Sequence, residues 1–179
     1  MTDDFGLAEG ERAPDVSGEL VSPGGAVETV ALDDLLADGP VLLCFYTADF
    51  SPDCVEQWCA FRDFDWFASG DAVRVVGASK SDTRLHRRFI DRLDLTFPIF
   101  SDPDLAIAEA FDVVYRVLGL AKRSRRSCFL LDPDRTVRYR WLSQHWLDPT
   151  RDVPPVGDIY EAVRDRLDPE EPDAFGFGS

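Results

Sequence analysis

The sequence predicts an α/β domain: a central mixed β-sheet flanked by helices on both faces, with a β-hairpin at its amino end. Three observations carry this. Val41-Leu42-Leu43-Cys44-Phe45-Tyr46 and Val73-Arg74-Val75-Val76-Gly77-Ala78 are apolar runs of strand length, as expected of strands covered on both faces. Helical patterns separate these runs, and strands that alternate with helices pair in parallel. The last third instead reads strand, turn, strand, which adds antiparallel edges.

The elements follow in order. Residues 1–13 are polar and acidic and read as a flexible lead-in; the domain is expected over 14–167. Pro14 to Val30 alternates apolar and polar around Ser22-Pro23-Gly24-Gly25, a hairpin with its turn at the glycines. Asp33 to Ala37 is a short helix, ended by Gly39-Pro40. After the first apolar run, Ser51 suits an N-cap and Pro52 the first helical position, opening a helix from Cys54 to about Ala68. Asp82 to Leu93 is a helix with Leu85, Phe89 and Leu93 on one face. Phe97 to Phe100 is a short strand, and Asp102-Pro103 starts a helix to about Phe111. Val113–Arg126 has no clear pattern and is basic. Ser127–Asp132 and Thr136–Leu142 form a hairpin about Pro133-Asp134, and Val156–Leu167 is the last helix. Residues 168–179 are acidic and contain Gly and Pro, as expected of a disordered tail.

The chain has 179 residues and a formal charge of −15, from 34 acids and 19 bases. Only Lys80 and Lys122 among the bases are lysine. Such a surface repels phosphate backbones and anionic lipid, so neither nucleic acid nor membrane is an expected partner. It suits concentrated salt, where self-repulsion is screened, and is similar to the surfaces of halophilic archaeal proteins. No run of roughly 18 apolar residues is present. The first residues lack the pattern of a signal peptide, so a reducing, cytoplasmic setting is expected.

The cysteines are Cys44, Cys54, Cys59 and Cys128. They are too few for a disulfide scaffold, and with only His86 and His145 beside them they offer little for a metal. Cys44 lies mid-strand and reads as core packing. Cys128 shares a strand face with Arg126 and also reads as packing. His86, among Arg84, Arg87 and Arg88, reads as a solvated helix face, and His145 as loop. The four tryptophans read as core or interface aromatics. Cys54 is different. It follows a central strand on the first turn of a helix, where free N–H groups and the helix dipole stabilise a thiolate. Parallel α/β sheets also build their sites at that end of the strands. Arg126, at a strand start, can add fixed positive charge.

The loop Thr47-Ala48-Asp49-Phe50-Ser51-Pro52-Asp53-Cys54 resembles the active-site loop Pro-x-x-x-Thr/Ser-x-x-Cys of the peroxiredoxins. Cys54 through Cys59, followed by Phe61-Arg62-Asp63, resembles the bacterioferritin comigratory protein (PrxQ) subfamily. Phe97-Pro98-Ile99-Phe100-Ser101-Asp102-Pro103-Asp104 and Arg126-Ser127-Cys128-Phe129-Leu130-Leu131-Asp132 are similar to two further family segments. These matches, in order, span about residues 10–167. The resemblance implies a thioredoxin-like fold and a thiol peroxidase that needs no cofactor. It also implies Cys54 as the peroxidatic cysteine, Cys59 as its resolving disulfide partner, and Ser51, Thr47 and Arg126 around the peroxide. A thioredoxin- or glutaredoxin-like reductant and a monomer or weak homodimer are implied too. Thr47 stands where the family has proline. Two other readings stay open: a redox-sensing or interaction module of this fold without turnover, and a disulfide oxidoreductase, which the absence of Cys-x-x-Cys disfavours.

An intact helix also constrains the chemistry. Five residues rise about 7.5 Å and turn about 140°, while a disulfide needs Cα atoms within about 6.8 Å and converging side chains. A Cys54–Cys59 bond therefore requires the helix to unwind over 54–60.

Overall fold

The computed structural model describes residues 5–143 and 152–167. The expected tail, His145 and Trp146 lie outside the described residues. A seven-stranded sheet in the order β2-β1-β5-β4-β3-β8-β9 forms the centre. Its middle strands β3 (Val41–Phe45), β4 (Arg74–Ser79) and β5 (Ile99–Ser101) are parallel. Antiparallel hairpins close both edges: β1 (Ser17–Val21) with β2 (Val27–Ala31), and β8 (Ser127–Leu131) with β9 (Val137–Leu142). This is the mixed α/β sheet that the apolar runs predict.

Alternation along β3 divides the core. Val41, Leu43 and Phe45 face one layer, with α1 (Leu32–Leu36) and α5 (Ala106–Ala110) packed on it. Leu42, Cys44 and Tyr46 face the other. There α2 (Pro52–Asp63), α3 (Asp65–Ser69), α4 (Thr83–Leu93) and α6 (Val156–Leu167) cover the sheet. Among the described residues, no helix is long and apolar enough to cross a membrane.

Three elements depart from the sequence reading. The single helix expected from Cys54 to Ala68 is two helices, because Phe64 is extended (φ −96°, ψ 99°) and breaks the path. Its ring then packs on Phe67 and Tyr160. The unclear stretch 113–126 is a hairpin of β6 (Val114–Val117) and β7 (Ala121–Ser124), with Leu118 and Leu120 exposed at its tip. Residues 5–13 are not loose. Gly6 N and Leu7 N donate to Asp112 O and Phe111 O, Gly10 N and Ala13 N to Val137 O and Arg135 O, and Arg140 reaches the carbonyls of Phe5, Gly6 and Leu7. Polar side chains suggested a free segment, but the backbone makes these bonds regardless of them.

Gly77 sets how closely α2 approaches the sheet. A Cβ there would stand 2.7 Å from the Trp58 ring and 3.3 Å from Ile99. Gly77→Ala is therefore expected to cost about 1–3 kcal/mol through overpacking. Urea unfolding checks this; an unchanged midpoint would mean that Trp58 moves aside freely.

Candidate active site

β3 ends at Phe45, and residues 46–51 lead into α2. Ser51 is the N-cap residue, with φ −68° and ψ 145°, and Pro52 opens the helix, as the sequence predicts. The Ser51 hydroxyl does not cap; it donates to Ala48 O at 3.4 Å. Cys54 lies in the first turn of α2, at the C-terminal end of β3, and has no exposed surface.

Arg126, buried to 1% exposure, comes from the residue preceding β8. Its Nη2 donates to Cys54 Sγ at 3.2 Å and its Nη1 to Gln57 Oε1 at 2.6 Å. Of the basic run 122–126 this is the side chain turned into the sheet. Arg125 instead donates to Ser143 O and lies over the Phe5 ring. Gln57 is absent from the sequence reading. It lies three residues beyond Cys54, hence on the same helix face, and that spacing was its available signal. Being neutral, it positions the guanidinium without cancelling its charge. Thr47 Oγ1 is buried without a hydrogen-bond partner among the described residues. It is a free hydroxyl where a proline would offer none. Cys59 is partly buried further along α2, and all four cysteines are free thiols. The structure thus brings Cys54 and Arg126 into contact, with Thr47 and Ser51 on the adjoining loop, and holds Cys59 apart from Cys54 on one continuous helix.

A second buried group anchors this loop. Tyr46 Oη donates to Asp49 Oδ1, and His86 Nδ1 lies 2.6 Å from Asp49 Oδ2. A carboxylate only accepts, so the ring nitrogen carries the hydrogen. Asp49 N donates to Ser81 Oγ at 3.1 Å. Burial, and then the Asp49 carboxylate beside it, push the Tyr46 hydroxyl well above its ordinary range, so it remains a donor. This corrects the reading of His86 as a solvated residue: it is fully buried. His86, Phe89, Ile90 and Leu93 follow the i, i+3, i+4, i+7 pattern of an inward stripe, which the flanking arginines obscure.

Between Asp49 and Ser51, Phe50 has a left-handed φ of 65°, unusual for a bulky residue. Its ring meets Phe89 edge-on at 5.1 Å. The loop is thus a strained segment held by Asp49 on one side and by α2 on the other.

A cysteine buried at a helix start above a mixed sheet, hydrogen-bonded to a buried arginine, is the arrangement expected of a thiol peroxidase. The chain belongs to the AhpC/TSA family, whose sequence model matches residues 10–140. Peroxiredoxin Bcp of Bacillus subtilis is 35% identical over 136 residues, covering 74% of this chain and 83% of that protein. The crystal structure of peroxidoxin BcpB from Mycobacterium tuberculosis superposes with a TM-score of 0.72 at 27% identity, covering 92% of this chain and 98% of that one. Peroxiredoxin Q of Xanthomonas campestris shares the fold, with a TM-score of 0.68, 24% identity and coverage of 83% and 90%. Thiol-dependent peroxidase chemistry is the activity that this membership and this site support together.

Proposed function

We propose that the chain reduces hydrogen peroxide or organic hydroperoxides through Cys54 and Cys59. The observation that carries this is the Cys54 thiol at the start of α2, 3.2 Å from the Arg126 guanidinium. The Cys54 thiolate attacks the terminal peroxide oxygen. The O–O bond breaks, the sulfur becomes a sulfenic acid, and the leaving oxygen departs as alcohol or water after taking a proton. Arg126 donates to the oxygens on which charge develops, and the hydroxyls of Thr47 and Ser51 add donors from the loop. Cys54 is fully buried, so the peroxide reaches it only as the residues that cover it move.

Cys59 then condenses with the sulfenic acid, forming a Cys54–Cys59 disulfide and releasing water. Both cysteines lie within Pro52–Asp63, a single helix, so the first turns of α2 must unwind for the bond to form. A thioredoxin- or glutaredoxin-like dithiol returns the disulfide to thiols by exchange. The acidic surface fits a cytoplasmic monomer or weak dimer working in concentrated salt, with neither nucleic acid nor membrane as partner.

Rapid mixing of reduced protein with one equivalent of peroxide in high-salt buffer tests the reading. Wild type should consume the peroxide and lose two thiols, which samples quenched on the time scale of turnover map to Cys54 and Cys59. Cys54→Ser should consume none, and Cys59→Ser should accumulate sulfenic acid on the time scale of wild-type turnover. A wild type no faster than free cysteine would leave a fold without turnover, and the sensor reading would replace this one.

A further inference from the structure

Two cysteines take no part in that cycle, and the sheet sets them against each other. Cys44 on β3 and Cys128 on β8 are direct partners in antiparallel register. Backbone bonding on either side shows which type of partner. Tyr46 N donates to Ala78 O, so the even-numbered residues of β3 direct their backbone groups toward β4. Ser143 N donates to Arg126 O, so the even-numbered residues of β8 direct theirs toward β9. Cys44 and Cys128 therefore face each other as a non-hydrogen-bonded pair. Such pairs bring Cα atoms to about 4.5 Å, inside the range of about 4.4–6.8 Å that a disulfide accepts.

Both side chains project into the layer that holds Cys54 and Trp58, and both are fully buried. Continued one residue past Phe45 and Ser127, the same register sets Tyr46 opposite Arg126, one rung nearer the loop. The thiol pair is thus the rung directly behind the arginine that touches Cys54. Burial, and then contact with the Cys128 sulfur, push the Cys44 thiol well above its usual range. At rest it is a thiol, slow to react.

We propose that Cys44 and Cys128 form a second redox-active dithiol, which takes oxidising equivalents from Cys54 and closes as a cross-strand disulfide in the core. This rests on the peroxidase reading for its oxidant. The peroxide oxidises Cys54 to the sulfenic acid. The Cys128 thiol attacks that sulfur, giving a Cys54–Cys128 disulfide and water. The Cys44 thiol then attacks Cys128, forming the Cys44–Cys128 bond and returning Cys54 as a thiol. In sum, one peroxide and two thiols give one alcohol or water, one disulfide and one water. With Cys59 present, the Cys54–Cys59 disulfide supplies the same two oxidising equivalents by exchange, and both of its thiols return. The unwinding of α2 that frees Cys54 for Cys59 also frees it to approach β8. A bridge between β3 and β8 joins two central strands, so it both stores a second peroxide equivalent and stiffens the sheet.

The test uses Cys59→Ser, given one equivalent of hydrogen peroxide without reductant, quenched in acid, alkylated after unfolding and mapped by mass spectrometry. The sulfenic acid at Cys54 should form first, then decay as a Cys44–Cys128 peptide appears and Cys54 becomes alkylatable again. In Cys59→Ser/Cys128→Ala and Cys59→Ser/Cys44→Ala no such peptide should appear. Closure should also raise the thermal midpoint by several degrees. Sulfenic acid that persists or over-oxidises while Cys44 and Cys128 stay alkylatable would overturn the transfer. Separately, Cys54→Ser/Cys59→Ser is treated with diamide, which oxidises dithiols without a peroxidatic cysteine. Failure to close there overturns the dithiol itself. If wild type leaves peroxide untouched, the peroxidase reading fails and the transfer falls with it, while the diamide result still decides the dithiol.

Discussion

Arg126→Met is expected to lower kcat/KM for peroxide by about two to three orders of magnitude, the scale of losing a donor that faces developing charge. Methionine fills much of the arginine's volume, so the loss is one of charge and hydrogen bonds rather than of packing. The variant removes the donor 3.2 Å from Cys54 Sγ and the one 2.6 Å from Gln57 Oε1. Because Gln57 is then left without that buried bond, a stability loss of about 1–3 kcal/mol should accompany it. Stopped-flow peroxide consumption below the melting temperature separates the two effects. Arg126→Lys should recover part of the rate: it restores the charge but not a planar fork that serves the sulfur and Gln57 together. Alkylation by iodoacetamide, which has no peroxide oxygens to hold, should slow far less than peroxide reduction in both variants. A methionine variant that keeps most of the wild-type rate would remove Arg126 from the reaction.

The parts of this site that were legible in the sequence are those with a one-dimensional signature. The apolar run 41–46 marked a central strand, and Ser51-Pro52 marked a helix start. Together they placed Cys54 where a thiol meets free N–H groups. Arg126 was legible as the last residue before an apolar strand. Gln57 was not, since a glutamine inside a helix ordinarily reads as solvent-facing. Only the contact with an arginine 69 residues away gives it a role. His86 failed for a related reason: three neighbouring arginines outweighed its place in the stripe with Phe89, Ile90 and Leu93. The facing of Cys44 and Cys128 was hidden for a third reason. Each residue could be placed on a strand, but register between strands far apart in sequence is a tertiary property. The hairpin at 114–124 lay beyond reach because it packs too little for either face to need an apolar pattern. Leu118 and Leu120 at its tip are 93% and 86% exposed.

Asp49→Ala should be the most destabilising single change at the site, by about 2–5 kcal/mol, at about 1–3 kcal/mol for each of two buried donors that lose their acceptor. The carboxylate accepts from Tyr46 Oη and His86 Nδ1, both in the core, and its loss leaves the pair only their long 3.5 Å contact with each other and the Ser79 hydroxyl beside Tyr46. The same substitution releases the loop. Phe50 holds its left-handed φ of 65° between the Asp49 anchor and α2, and without the anchor that strain relaxes by moving Thr47 and Ser51. A shift of about 1 Å in such groups costs up to a hundredfold in rate. The loss of kcat/KM should therefore exceed what the unfolded fraction explains. Asp49→Asn is the informative companion. Its amide oxygen can accept from one of the two donors but not serve both as the carboxylate does, so it should lie between alanine and wild type in stability. His86→Phe removes one donor and keeps a ring in the stripe, which should cost less than Asp49→Ala while leaving the Tyr46 bond intact. Urea titrations of the three variants, paired with peroxide kinetics at matched folded fraction, give the ordering. If Asp49→Ala melted like wild type and kept its rate, the loop would be held by something other than this carboxylate. If it lost stability and kept its rate in the folded fraction, Asp49 would serve the core and not the positioning of the loop.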